Sequence, residues 1–334
     1  MRPVEAVFEE VLSKMKKYAS WSIICHENPD GDTLGSSFAL CSLGLREGKK
    51  VSVLSKSMLP DVFSFFPHYG EAVVGECADP QKAAGSLLIV VDTSTEGRAL
   101  TNLKELLSSC ADSVNIDHHK DNTMFAASNL VVPGASAAAE IVTRLMEAYG
   151  SGITKEEASA LYTALTTDNG SFRFNSTSVE SHRCAQVLLA AGADPAAIDD
   201  RINENMTCGI LRLWGKALSR TEVFADGRCA FFCLREKEIS DAGAVPNSLD
   251  GLVNMLLRIR GVKAALFLAE IDGRNKLSVR SRAPYSAREI AAVFGGGGHD
   301  GAAGARIGGD FNSAAARVKE EAEKYARSRD SAGK

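Results

Sequence analysis

The sequence has no close pair of cysteines that would suit a structural zinc site. Its eight cysteines are scattered along the chain and form no Cys-x-x-Cys pair. The segment up to Ser20 mixes charged and apolar side chains at helical spacing, so it lacks the apolar core of a signal peptide. No run approaches the ~18 apolar residues that a membrane span requires. These absences predict a cytoplasmic protein with reduced thiols, no structural zinc and no membrane partner.

The sequence also lacks an excess of positive charge. Its net charge is −4, whereas a protein that coats long nucleic acid usually has a strongly basic surface. A short anionic substrate stays open, because bound divalent metals would invert the local field. The length of 334 residues exceeds the ~100–200 residues of one domain and therefore predicts two domains.

Residues 20–135 alternate short apolar runs with helical patterns, which predicts a mostly parallel sheet with flanking helices. Its predicted strands are Trp21–Cys25, Val51–Leu54, Leu87–Val91, Ser113–Ile116 and Asn129–Val132. Helices are predicted over 136–149, with Ser136 as a plausible N-cap, and over 155–167, 178–191 and 195–220.

The remaining residues predict a smaller α+β domain. Its predicted strands are 221–225, 229–235, 263–271, 276–282 and 302–307, and its helices are 248–259, 286–293 and 312–328. Asp-Gly turns join two pairs of these strands, as in β-hairpins. The expected division is a first α/β domain over 1–193, a helical linker over 194–212 and a second domain over 213–328.

Polar motifs follow several predicted strands, at the edge where open α/β sheets place their ligands. His26, Asp30 and Asp32 lie in one tight loop that can aim an imidazole and two carboxylates at a common point. These donors suit Mn²⁺, with Mg²⁺, Fe²⁺ or Co²⁺ as alternatives. Taken alone, ordinary turn chemistry also explains this loop, and a helix cap or Asx turn explains Asp92.

Asp92, His118 and Asp168 each end a separate predicted element at the same edge, and nothing structural requires the two adjacent histidines His118 and His119. Together with the first loop they supply donors for two metals that share one carboxylate. Two metals about 3.5–4 Å apart stabilise both the attacking and the leaving oxygen of a phosphoryl transfer. The sequence therefore predicts a two-metal phosphoesterase.

These residues resemble the motifs of the DHH phosphoesterase family. The match comprises His26-x-x-Pro29-Asp30-Gly31-Asp32-x-x-Gly35-Ser36, the Asp92 motif, Asp117-His118-His119 and Thr167-Asp168-x-Gly170-Ser171-Phe172. One departure is Asn169, where related sequences commonly carry Thr. The resemblance implies one metal held by His26, Asp30 and Asp92, and a second held by Asp32, Asp92, His118 and Asp168. It also implies that His119 contacts the substrate phosphate and that Asp117 orients the histidine pair, which makes these two the expected catalytic residues.

The glycine run near the C-terminus resembles the motif of the DHH-associated domain, here Gly296-Gly297-Gly298-His299. Consecutive glycines let backbone N–H groups approach an anion closely, although a flexible linker is the alternative. Arg280 and Arg282 alternate on a predicted strand and would share a face suited to phosphate contacts. The expected substrate-binding residues are His119, Arg280, Arg282, Gly296, Gly297, Gly298 and His299.

The two-domain form is similar to family members that degrade very short RNA and dephosphorylate 3′,5′-bisphosphoadenosine. The resemblance implies RNA substrates of about two to five nucleotides, bound in a catalytic cleft between the domains of a homodimer, which suits a chain without a long basic track. The alternatives are a phosphodiesterase for linear dinucleotides (pApA or pGpG), a RecJ-type exonuclease for long strands, and a nucleotide-binding regulator with a dead site. Family II pyrophosphatases share the first motifs but lack the glycine loop.

Overall fold

A computed structural model describes residues 3–204, 206–244, 249, 251–298 and 300–332. The chain divides into two compact units, Met1–Glu204 and Asn205–Lys334. None of the helices in these described ranges combines the length and hydrophobicity needed to cross a bilayer.

The first unit is built on a parallel sheet whose described strands are β1 Ser20–Ile24, β2 Lys50–Ser55, β3 Val73–Val74, β4 Leu87–Val91, β5 Asp112–Asp117 and β6 Ser128–Val131. Their order is β3-β2-β1-β4-β5-β6, and every pairing is parallel. β4 is buried along its whole length, as expected for a sheet covered on both faces. The predicted α/β class is confirmed. β3 was not predicted, because its two exposed residues carry no hydrophobic pattern.

Helices flank this sheet. They are α1 Val4–Lys17, α2 Gly31–Arg46, α3 Pro80–Ala83, α4 Leu103–Ser109, α5 Ala138–Tyr149, α6 Lys155–Asp168, α7 Val179–Ala190 and α8 Pro195–Ile202. α2 is buried over most of its length, in keeping with its apolar and small residues.

Two glycines one turn apart allow α2 and α6 to pack closely. A Cβ atom on Gly35 would lie 2.3 Å from the backbone oxygen of Ala160, and one on Gly31 would lie 2.3 Å from Oγ1 of Thr167. Since any side chain would force the helices apart, both positions require glycine. This packing brings the C-terminal residue of α6, Asp168, towards the first turn of α2.

The predicted N-cap of α5 at Ser136 is wrong. The helix begins at Ala138, and the Ser136 hydroxyl instead donates a hydrogen bond to Glu140 at 2.5 Å. The amides of Ala138 and Ala139 donate to the two carboxylate oxygens of Asp32, at 2.6 and 3.0 Å. A carboxylate from α2 therefore caps this helix, and the favourable end of the helix dipole faces it.

The second unit contains a mixed sheet. Its described strands are β7 Glu222–Phe224, β8 Cys229–Leu234, β9 Ala264–Ile271, β10 Arg274–Ser281, β11 Gly297–Gly298 and β12 Ala302–Ile307, and its helices are α9 Cys208–Ser219, α10 Glu236–Asp241, α11 Leu252–Leu256, α12 Ala287–Ala292 and α13 Phe311–Ala332. The strand order is β11-β12-β10-β9-β8-β7. Asp272 and Gly273 have φ of 51° and 65°, as the predicted tight hairpin turn between β9 and β10 requires. The predicted α+β class is confirmed, although α10 was not predicted.

The predicted continuous helix over 195–220 is wrong, because α8 ends at Ile202 and α9 begins at Cys208. Thr207 interrupts it by accepting the amide N–H of Ile210 with its side chain, as an N-cap does. Residues on the two sides of this break belong to different cores. Ile198 packs in the core of the first unit, whereas Leu213 packs in a core of the second.

Candidate active site

The predicted metal-binding residues of the first unit come from the carboxyl ends of three neighbouring strands and from two helix ends. His26 follows β1, Asp92 follows β4, and His118 follows β5. Asp30 caps α2, where its Oδ1 accepts the amides of residues 32 and 33 at 3.1 and 3.2 Å. The first turn of α2 and the last residue of α6 supply the other two side chains, Asp32 and Asp168.

The structure brings all six of these side chains together. Potential ligand atoms lie within 4.8 Å of one another in three groups, which are His26-Asp30-Asp92, Asp32-His118-Asp168 and Asp92-His118-His119. The two carboxylate oxygens of Asp92 face different histidines. Asp92 Oδ2 lies 3.5 Å from Nε2 of His26, and Oδ1 lies 3.4 Å from Nε2 of His118. This is the arrangement that a carboxylate bridging two cations would adopt.

Distances within the site suit shared ions better than direct hydrogen bonds. His118 Nε2 lies 3.5 Å from Oδ2 of Asp168 and 3.8 Å from Oδ2 of Asp32, which is longer than a good hydrogen bond. Ligand atoms that share a metal are separated by about 3 Å or more, because each metal–ligand bond is about 2.1 Å long. Asp92 Oδ1 is buried and has no hydrogen-bond partner among the described residues. The residues present therefore fit divalent metal ions, and the assignment of each ligand stays a prediction.

The electrostatics of the site favour cations. Burial lowers the pKa of His118, but Asp92 and Asp32 outweigh this effect and raise it to about 10. The pKa of His26 is likewise raised to about 9 against the effect of burial, by Asp30 and Asp92. Burial and the neighbouring carboxylates raise the pKa of Asp32 well above its ordinary value. The closely spaced carboxylates thus favour the protonated forms of these side chains. Bound divalent metals would neutralise the same negative charge.

The second histidine of the motif is held by a carboxylate. Nδ1 of His119 lies 2.7 Å from Oδ1 of Asp117, which is fully buried. Asn122 donates to the other oxygen of Asp117 and so fixes the carboxylate in turn. Asp117 therefore orients His119, and the role of His119 as a substrate contact rather than a metal ligand stays a prediction. The sequence analysis missed Asn122, whose polar type alone does not distinguish it from a turn residue.

Three of the non-glycine residues with a positive φ lie at or beside the candidate ligands. Asp92 has a φ of 54°, and Ser171 and Phe172, just after Asp168, have φ of 55° and 63°. Non-glycine residues rarely adopt this left-handed conformation, and they cluster at functional sites. The side-chain oxygen of Asn169 accepts a hydrogen bond from the amide of Phe172 at 2.8 Å and so stabilises the turn at Ser171 and Phe172. The departure from Thr at this position therefore has a structural role in this chain.

The described residues among the predicted substrate-binding residues of the second unit lie on or beside β10 and β11. Arg280 is on β10, whereas Arg282 lies one residue beyond the end of that strand. The glycine run forms an edge strand, because Gly297 and Gly298 pair with β12. A Cβ atom on Gly296 would lie 2.2 Å from the backbone oxygen of Gly304, so this glycine permits close packing. His299 lies outside the described residues, and all these substrate contacts stay predictions.

Residues 21–165 match the DHH family, N-terminal domain, and residues 229–327 match the DHHA1 domain. The bifunctional oligoribonuclease and PAP phosphatase NrnA of Thermus thermophilus is 33% identical over 301 residues, which are 89% of this chain and 87% of that protein. The chain belongs to the DHH family. It is therefore a phosphoesterase, and all the clustered histidines and aspartates except Asp168 lie within the matched N-terminal domain of the DHH family.

Two further similarities extend over most of the chain. The solved structure of an exopolyphosphatase-related protein from Bacteroides fragilis has a TM-score of 0.90 and 27% identity, and the match covers 97% of each chain. The cyclic-di-AMP phosphodiesterase PdeA of Listeria monocytogenes is 27% identical over 292 residues, which are 83% of this chain and 43% of that protein. The shared fold thus occurs in relatives whose names give different phosphate-containing substrates.

Proposed function

We propose that this chain is a two-metal phosphodiesterase that degrades RNA of about two to five nucleotides to mononucleotides. The same site would also remove the 3′-phosphate of 3′(2′),5′-bisphosphoadenosine. The observation that carries the proposal is the position of Asp92, whose two oxygens face His26 and His118. A cytoplasmic location and a homodimer belong to this proposal and rest on the sequence alone.

The proposed metal ligands are His26, Asp30, Asp32, Asp92, His118 and Asp168. We propose Mn²⁺ as the preferred ion, with Mg²⁺ or Co²⁺ as alternatives. When bound, two such ions would supply positive charge to the attacking and leaving oxygens of the phosphoryl group. Asp92 would contribute a ligand to both ions, because one of its carboxylate oxygens faces His26 and the other faces His118.

The remaining proposed roles concern the substrate. His119, oriented by Asp117, would donate a hydrogen bond to a phosphoryl oxygen and would offset the charge that develops there. Arg280, Arg282 and the glycine segment of the second unit would bind the distal phosphate or base. A second unit that binds a terminal group would favour short substrates over long ones.

Similarity supports the short-RNA substrate in preference to others. The Thermus relative named as an oligoribonuclease and PAP phosphatase aligns with most of both chains. The second candidate is the hydrolysis of linear dinucleotides such as pApA and pGpG; the Listeria relative is named as a phosphodiesterase for a cyclic dinucleotide, cyclic-di-AMP. A dead regulatory site is disfavoured, because all six proposed ligand positions carry residues able to bind metal.

The test is Mn²⁺-dependent turnover of 5′-phosphorylated RNA from about 2 to about 24 nucleotides in length. Parallel reactions contain pApA, pGpG, 3′,5′-bisphosphoadenosine or pyrophosphate as the substrate. The Asp92→Asn variant, purified in the same way, serves as the control for contaminating nuclease activity. We expect the highest kcat/KM on the shortest RNAs, with phosphate released from bisphosphoadenosine. A clear preference for pApA or pGpG over other dinucleotides would favour the second candidate. Turnover of only the longest RNA, or of only pyrophosphate, would overturn the substrate assignment.

A substitution at Gly297 can distinguish the proposed substrate-binding role of β11 from its structural role. A Cβ atom on Gly297 would meet nothing within 4 Å, and the backbone there has no positive φ. Gly297→Ala should therefore leave stability unchanged. If the backbone approaches the substrate closely, the methyl group should raise KM about tenfold while kcat changes little.

The matched control is Gly308→Ala, which also meets nothing within 4 Å. Steady-state kinetics on a dinucleotide, together with thermal unfolding, would compare the two variants. An unchanged KM for Gly297→Ala would exclude close contact between this backbone and the substrate.

A further inference from the structure

One peptide group connects a buried glutamate to a proposed metal ligand. The carbonyl oxygen of Ala135 lies 3.2 Å from Nδ1 of His118. The amide N–H of the same peptide group, which belongs to Ser136, donates to Oε1 of Glu140 at 3.2 Å. The carboxylate, the peptide and the imidazole thus form a continuous line of hydrogen bonds.

Glu140 is held firmly in this line. It is 2% exposed, although it is a charged residue on a helix of the first unit. The hydroxyl groups of Ser136 and Ser181 each donate to its Oε1 at 2.5 Å. Burying a carboxylate costs free energy of desolvation, and several hydrogen-bond donors both offset that cost and fix the side chain in one conformation. Neither the family motifs quoted above nor the proposed ligand set gives this residue a role.

The chain just after the Ala135–Ser136 peptide also contacts a second proposed ligand, Asp32. The amides of Ala138 and Ala139, two and three residues after Ser136, donate hydrogen bonds to its carboxylate. His118 and Asp32 belong to the same potential metal-binding group. The position of this one turn therefore affects two side chains of that group.

We propose that Glu140 is a positioning residue for this metal group, acting on His118 through the Ala135–Ser136 peptide. A carboxylate that accepts the peptide N–H polarises the group and makes its carbonyl oxygen a stronger acceptor. The stronger acceptor favours the neutral His118 tautomer with its proton on Nδ1, which leaves the lone pair of Nε2 for a metal bound at this group. Metal-binding histidines commonly donate a hydrogen bond from the N–H of their other ring nitrogen to a carboxylate or carbonyl oxygen. Here a peptide group lies between His118 and the carboxylate of Glu140.

This inference rests on the proposed metal role of His118, and the test separates the two. Mn²⁺ binding is measured by electron paramagnetic resonance for the wild type, Glu140→Gln and His118→Asn. Glutamine preserves the size of Glu140 but removes its charge. We expect Glu140→Gln to weaken Mn²⁺ binding at one of two sites about tenfold, and His118→Asn to weaken it more.

The matched control is Glu157→Gln. Glu157 is also a fully buried glutamate near the start of a helix, but it pairs with Arg46. This variant should lose stability without a change in Mn²⁺ affinity. If His118→Asn binds Mn²⁺ as the wild type does, the metal role of His118 in the proposed function is wrong. If His118→Asn weakens binding and Glu140→Gln does not, only the role of Glu140 is wrong.

The deciding observation of a second measurement needs only the wild type. In ¹⁵N-histidine-labelled wild type loaded with diamagnetic Zn²⁺, the His118 ring should carry its proton on Nδ1, with slow exchange against solvent. In Glu140→Gln that exchange should accelerate about tenfold, whereas Glu157→Gln should leave it unchanged. A wild-type His118 without a proton on Nδ1 would overturn the proposal, whatever the variants do.

Discussion

Replacing Asp92 with asparagine is expected to lower kcat/KM by about 10³-fold or more while the first unit stays folded. One carboxylate faces both histidines of the site, so its loss would affect both proposed metals together. Asparagine keeps the size of the side chain and tolerates the left-handed backbone at this position better than most residues. The measurement is Mn²⁺-dependent turnover of a dinucleotide, with the bound metal counted in the same preparation.

Asp92→Ala is the harsher variant, because alanine at a φ of 54° adds about 1 kcal/mol of backbone strain. Comparing the two separates lost chemistry from lost stability, since both should be inactive but only alanine should also lower the free energy of unfolding. Asp121→Asn, an exposed carboxylate outside the three ligand groups, serves as the charge control. Near wild-type turnover of Asp92→Asn with two metals bound would contradict the bridging role.

Gly35→Ala should destabilise the first unit by about 3 kcal/mol. The added methyl group would lie 2.3 Å from the backbone oxygen of Ala160 and 2.8 Å from the Cβ atom of Ala164. Neither atom belongs to a flexible side chain, so the two helices would have to separate. Activity should fall as well, because α2 and α6 carry Asp32 and Asp168.

The two tryptophans allow this effect to be located. Trp21 lies on β1 of the first unit, and Trp214 lies on α9 of the second. In a Trp214→Phe background, urea unfolding followed by the fluorescence of Trp21 would report the first unit alone. Gly97→Ala is the control, because a Cβ atom there meets nothing within 4 Å and should change stability by less than about 1 kcal/mol. Equal stability of the Gly35 and Gly97 variants would disprove the close helix contact.

The sequence predicted the parts of the fold that depend on local pattern. Buried strands such as Leu87–Val91 are continuous apolar runs, and the polar residues that follow them had to lie at one edge of a parallel sheet. This reasoning from sequence alone predicts that His26, Asp92 and His118 lie together, as they do in the structure. The edge strand Val73–Val74 was missed, because two exposed residues produce no detectable period.

The features that sequence reasoning missed depend on contacts between distant residues. Ser136 has the residue type of an N-cap, but the side chain of Asp32 accepts the first amides of the helix instead. Asp32 is 106 residues from Ala138 in the sequence. The role of Glu140 was likewise invisible, because its partner Ser181 is 41 residues away and belongs to another helix. Local propensity could not anticipate either contact, since each exists only after the helices have packed.

All six proposed metal ligands lie between His26 and Asp168, within the first of the two compact units. The proposed centre is therefore encoded in one continuous segment of the first unit, and none of its six proposed ligands comes from the second unit. Substitutions in the second unit can accumulate without altering that ligand set. This division would allow the substrate contacts proposed for the second unit to change while the proposed ligand set stays the same.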